Sequence, residues 1–205
     1  MTAVSHSPAA AVALCLGLTG AAGAQSYTPD PGAWRPVAYS DLMFPTGEAE
    51  SYASIWQDRL NESNQNSPPK AAGGQPLNMS IAVGNRGATE WHFTINFQSK
   101  LIVLTVLNTP SVCTDEYPSP SAAAKIKVCP MRLVIIEADH YTVTDGAACF
   151  LEKQADGPTE DSTATATYAA YDVGTRSIRL RYTLSHREIA QCAQSVPLHS
   201  QNPAQ

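Results

Sequence analysis

Charge is the first thing this chain has little of. Only 15% of its residues are Asp, Glu, Lys or Arg, and none of these lies within Met1–Ala24. The balance is a net −5 at neutral pH, which argues against nucleic acid as a partner, since phosphate backbones are held by clustered Lys and Arg. Well-marked chemistry is also missing. The sequence holds no Cys-x-x-Cys, no Gly-x-Ser-x-Gly, no P-loop, no dinucleotide fingerprint, no EF-hand loop and no zinc-protease motif. No internal repeat is present. After Ala24 no apolar run reaches the roughly 20 residues of a spanning helix, so no membrane span is expected in the mature chain.

What is present begins with a leader. Ala9–Leu18 is an apolar core, and Thr19–Ala24 runs to small residues ending Ala22-Gly23-Ala24, as at a secretory cleavage site. Met1–Pro8 lacks the Lys or Arg that such signals carry, offering only His6. The expectation is a signal peptide over 1–24 and a periplasmic or secreted product. Cys15 falls inside the leader. The four remaining cysteines, Cys113, Cys129, Cys149 and Cys192, then form an even set in an exported chain, which implies disulfides.

Behind the leader, residues 25–45 read as an extended arm. Four prolines forbid a regular helix there, yet Tyr27, Trp34, Tyr39, Leu42 and Phe44 are too apolar for a free linker. Either the arm docks on a partner or it packs on its own domain. Residues 46–194 read as one β-rich domain and 195–205 as a flexible tail. Within the domain, Gly47–Asn61 is the one convincing helix, with Thr46 as cap and Tyr52, Ile55, Trp56 and Leu60 forming a stripe. Glu62–Pro76 reads as a polar loop.

From Leu77 onward the pattern is β. Met79–Gly84 is a short strand. In Glu90–Phe97, Trp91, Phe93, Ile95 and Phe97 alternate with Glu90, His92, Thr94 and Asn96, as in a half-buried strand. Leu101–Leu107 and Arg132–Glu137 are continuously apolar, so both faces should be covered. Tyr141–Lys153 reads as a hairpin turning at Asp145-Gly146. Residues 163–172 and 176–185 form a last hairpin, and His186–Gln194 one or two helical turns. The fold class is mainly β: an antiparallel sandwich or curved sheet with a packed N-terminal helix and a short C-terminal one.

Four cysteines allow three pairings. The favoured one joins Cys113 to Cys129 across the long connection 114–128, worth about 3 kcal/mol in the chain-entropy account. Cys149 then meets Cys192 and holds the C-terminal segment down. No histidine stands at ligand spacing from any cysteine, so structural bridges are preferred over a redox or metal site, and no metal or cofactor is expected.

Candidate site residues are few, and each has an ordinary alternative. His92 and Glu90 share a strand face and suit acid/base work, or simply a solvated face. Asp139-His140 are adjacent, so on a strand they would point apart and make a poor couple. Arg179 and Arg181, with Arg176 before them, form a basic stripe opposite an acidic loop at Asp156, Glu160 and Asp161. That stripe suits an acidic partner or plain cross-strand pairing. Tyr117, Tyr168 and Tyr171 offer sugar-stacking rings or packing, and Trp34 and Tyr39 are the arm's binding candidates.

The reading that follows is an exported, disulfide-stabilised, non-catalytic binding or assembly protein of the envelope or extracellular space, an enzyme being the less favoured option. Its partner would be another envelope or extracellular protein, with homo-oligomeric assembly or a glycan also open. The alternatives are a small hydrolase of envelope or extracellular polymers, using His92 and Glu90, and a carbohydrate-binding module.

Overall fold

The computed structural model describes residues 32–43, 45–66, 87–117, 124–153 and 164–198. The leader, the strand expected at Met79–Gly84, the acidic loop at Asp156, Glu160 and Asp161, and the end of the tail lie outside them. The described chain is a β-sandwich with a helical layer on one side, in agreement with the expected fold class.

The smaller sheet consists of β1 (Arg35–Pro36), β8 (Ala166–Asp172), β9 (Ser177–Leu184), β10 (Arg187–Glu188) and β11 (Gln194–Pro197). Strands β10 and β11 both pair with the far edge of β9. The larger sheet runs β2 (Ala38–Asp41), β3 (Thr89–Phe97), β4 (Lys100–Asn108), β6 (Ala124–Glu137). Strand β5 (Thr114–Tyr117) pairs with the first half of β6, and β7 (His140–Lys153) pairs with β6 along its whole length.

Alternation sets the core. Trp91, Phe93 and Ile95 of β3 meet Ile102, Leu104 and Val106 of β4, and all face Ile178, Leu180 and Tyr182 of the smaller sheet. The opposite face of β4 is not solvated. Val103 and Leu107 pack with Val134 against Leu42, Tyr52, Trp56 and Leu60. The continuous apolar run of β4 is therefore buried on both sides, as expected of such a run.

The helix expected at Gly47–Asn61 is two, α1 (Glu48–Ile55) and α2 (Gln57–Asn66), so residues 62–66 are helical rather than loop. They meet at Trp56, whose N–H lies 3.2 Å from the carbonyls of both Tyr52 and Ala53. The side chain of Thr46 does not cap α1. Gly47, at φ 60, is the capping residue, which leaves Thr46 one position too early, with only its carbonyl accepting from Ala49 N–H.

Two further expectations are corrected. Tyr141–Lys153 is not a hairpin but part of one strand of 14 residues. Its partner β6 is unbroken, and the turn lies earlier, at Ala138-Asp139, with Ala138 at φ 51. Gly146 is mid-strand, paired with Met131, whose terminal methyl lies where a Cβ would come within 2.7 Å. Nor does the flexible tail begin at 195: Gln194–Pro197 forms β11, held by antiparallel pairing to Ser177–Leu180.

The described part of the arm supplies a strand to each sheet. Arg35–Pro36 pairs with β8, Ala38–Asp41 pairs with β3, and Val37 between them is buried. Both favoured disulfides are present. Cys113–Cys129 joins the approach to β5 to β6, and Cys149–Cys192 joins β7 to a short 3-10 turn at Ala190–Cys192, the form taken by the expected C-terminal helix.

Candidate functional site

Two polar clusters contain candidate residues that the sequence marked. The first lies between the helices and the larger sheet. Glu90 and His92, two apart on β3, share a face, and His92 Nδ1 stands 2.8 Å from Glu90 Oε1. Thr105, opposite His92 on β4, donates to Glu90 Oε2 at 2.7 Å and accepts from Trp56 Nε1 at 3.2 Å. The Tyr52 ring stacks on the imidazole with centroids 3.9 Å apart, and its hydroxyl donates to Glu48 at 2.8 Å. Burial and the Glu48 carboxylate push the Tyr52 hydroxyl pKa up.

This face was expected to be solvated, and here the structure differs. Glu90 is 0% exposed, because the apolar stripe of α1 and α2 covers the strand. Arg132 fastens that cover. It pairs with Asp58 of α2 through both guanidinium nitrogens at 2.6 Å, reaches Asp145 of β7 at 2.8 Å, and lies 4.7 Å from the Trp56 ring centroid. The hydrogen bond from Arg132 holds the Asp58 carboxyl below the usual carboxylate range. Chemically, the first cluster is a closed network: both Glu90 oxygens are engaged, and one face of His92 is occupied by Tyr52. Neither described groove includes His92 or Glu90. Among the described residues, no group of three His, Cys, Asp or Glu side chains is placed to hold a metal ion.

The second cluster lies on the outer face of the smaller sheet. Ile178, Leu180, Tyr182 and Leu184 of β9 are buried, so Arg179 and Arg181 point outward. Tyr168 of β8 is the cross-strand neighbour of Arg181, and Pro36 of β1 is the neighbour of Tyr168. Trp34, just before β1, lies against both arginines, its ring centroid 4.8 Å from the Arg181 guanidinium carbon and 5.3 Å from that of Arg179. Tyr168 takes the other contact with Arg181 at 5.1 Å. The result is a row of alternating rings and cations.

Aromatic contact leaves the hydrogen-bonding edge of a guanidinium available, since the ring meets its flat face. Arg181 has no carboxylate partner among the described residues. Arg179 has Asp172, whose oxygen stands 3.6 Å from its Nε, outside hydrogen-bond reach. The Nε atoms of both arginines are buried without a hydrogen-bond partner. Asp172 is committed locally: the Thr175 and Gly174 N–H groups hold its carboxyl below the usual range.

The structure therefore brings together Trp34, Arg179 and Arg181, along with Tyr168. It does not bring in the remaining candidates. Tyr39 belongs to β2, where its hydroxyl meets Thr167 at 3.1 Å and its ring stands edge-on to Phe150. Enclosure of that hydroxyl raises its pKa. Tyr117 is on the larger sheet, half-buried against the core. Tyr171 is not exposed but packs edge-on to Phe97 inside the sandwich, so the three tyrosines form no common platform. Asp139, in the exposed turn before β7, and His140, the first residue of β7, stand 3.3 Å apart. The meeting of Trp34 with the arginines had no local signal, because it depends on β1 pairing with β8.

Comparison with known proteins adds no identity: no family model, curated protein or solved structure matches this chain. Among the described residues no helix is long and apolar enough to cross a membrane. The two disulfides are compatible with an extracytoplasmic protein.

Proposed function

We propose that this chain is an exported, non-catalytic binding or assembly protein of the envelope or extracellular space. Its contact surface is the outer face of the smaller sheet, at Trp34, Tyr168, Arg179 and Arg181. The observation that carries the reading is the row of rings and cations, in which Arg181 lies between two aromatics and has no carboxylate partner among the described residues. Trp, Tyr and Arg are the residue types that dominate the energetics of protein interfaces. A guanidinium fork on a rigid strand suits a carboxylate presented by a partner. The partner chemistry is thus a protein surface bearing exposed acidic side chains.

The hydrolase alternative would use His92 and Glu90. It is less favoured because Glu90 is wholly enclosed and its oxygens are taken by His92 and Thr105. A discriminating experiment is affinity capture on the purified chain, comparing wild type with Arg181→Ala and, as a control away from the row, Arg187→Ala. Salt-sensitive capture of an acidic protein by wild type and Arg187→Ala, lost in Arg181→Ala, supports the reading. Equal capture by all three, or retention of acidic polysaccharide alone, sinks it.

A further inference from the structure

Sheet edges are exposed templates for pairing, and folds normally shorten them, interrupt them with proline or guard them with charge. Most edges in this sandwich are treated that way. Strands β1 and β10 have two residues each, β2, β5 and β11 four each, and Pro36 and Pro197 interrupt β1 and β11. Strand β7 is the exception. It is 14 residues long, pairs with β6 on one side only, and has no described strand on the other.

Its first half projects beyond both covering layers. Residues 141–147 are exposed throughout, with Tyr141 at 63% and Val143 at 47%. On one side Asp145 is anchored to Arg132, and on the other a shallow groove of about 540 Å³ separates Thr144 and Gly146 from β11. No Lys, Arg or Pro occurs from His140 to Ala147. The Ala147 carbonyl accepts from Gln194 Nε2 at 3.2 Å. For the rest of this stretch no described strand meets the backbone N–H and C=O of the second edge, and what satisfies a row of such groups is another extended backbone.

We propose that the free edge of β7 pairs antiparallel with β7 of a second copy, joining two larger sheets into one across a twofold axis. The segment is complementary to itself. Centred on Val143, the pairing sets Val143 against its copy, Thr142 against Thr144, and the Tyr141 hydroxyl beside Asp145. The one carboxylate in this stretch already has Arg132 and gains a donor, so no like charges meet. His140 falls opposite Gly146, which leaves room for the imidazole. This is the isologous arrangement that closes as a dimer instead of growing into a fibre.

Analytical ultracentrifugation of the full chain, with hydrogen exchange at residues 141–147, tests it. The expected result is a dimer whose β7 amides are protected. Val143→Lys, at a position exposed enough to accept lysine in the single copy, should weaken the dimer on the order of a hundredfold by placing like charges face to face. Its far-UV circular dichroism should match wild type. Val143→Cys should form a dimer through a disulfide under oxidising conditions, and Val173→Cys, in an exposed turn of the other sheet, should not. A wild-type monomer overturns the proposal. If its β7 amides are protected, a segment of the same chain covers the edge; if they exchange freely, the edge stays open. A dimer indifferent to Val143→Lys overturns it equally.

Discussion

Strands β3 and β9 are built on the same plan, and their polar faces meet opposite fates. Each alternates large apolar residues, turned to the shared core, with polar residues turned away: Glu90, His92 and Thr94 on β3, Arg179, Arg181 and Thr183 on β9. On β3 the polar side is roofed by α1 and α2, and its side chains close into a network with Thr105, Trp56 and Tyr52. On β9 no described helix arrives, and the arginines lie against Trp34, with Tyr168 also against Arg181. The difference teaches that alternation tells which side chains share a face, while a third layer decides whether that face becomes structure or surface.

Substitutions can break or sharpen this contrast. The largest effect should come from Trp56→Ala, which removes the indole that fills the roof over β3. We expect a loss of about 3–5 kcal/mol in urea unfolding. Next is Glu90→Ala, which strands the Thr105 hydroxyl and the His92 ring nitrogen. The expected cost is about 1–3 kcal/mol by the same measurement, and a neutral outcome would mean the network adds nothing to the roof. On β9, Arg179→Ala and Arg181→Ala should each cost about 1 kcal/mol or less, because what is lost is ring contacts at a half-open surface and, for Arg179, a loose 3.6 Å ion pair with Asp172. A larger loss there would show that the outer face is structural too.

The smallest effect concerns acid. Arg132 depresses the folded-state pKa of Asp58, so this pair contributes stability at pH values above the unfolded carboxylate range of about 4. That contribution is lost as pH falls through the lower folded value. Thermal melts from neutral pH down to about 3 should therefore show a smaller acid-induced drop for Asp58→Asn than for wild type. Equal drops would remove Asp58 from the acid response.

Much of the fold was legible because it rests on short-range patterns. The run Leu101–Leu107 announced a strand covered on both faces, and the alternation in Ser177–Leu184 named the residues that are buried. Turn chemistry misled where tertiary packing overrode it. Asp145-Gly146 carries a strong turn signature yet sits mid-strand, paired with Met131 and Arg132. Two of the turns that close hairpins, Gln98-Ser99 and Ser185-His186, hold positive φ without any glycine. At Gln98-Ser99 the pairing of two nine-residue strands fixes the turn, so composition gave no warning. The candidate site was legible as residues and not as a place: Trp34, Arg179 and Arg181 were each marked, but their meeting depends on two strands from opposite ends of the chain.

The sequence by itself determined the mainly β class, the inward and outward sets on β3 and β9, and a cysteine arrangement whose favoured pairing the structure contains. Those follow from a two-residue side-chain period and from the spacing of cysteines between strands, which act over a few residues. Only the tertiary structure decided that Glu90 and His92 are enclosed, that the arm belongs to both sheets, and that Trp34 lies on the arginines. Each of these depends on which apolar surfaces find one another across the chain, and that choice is made by burial over long range.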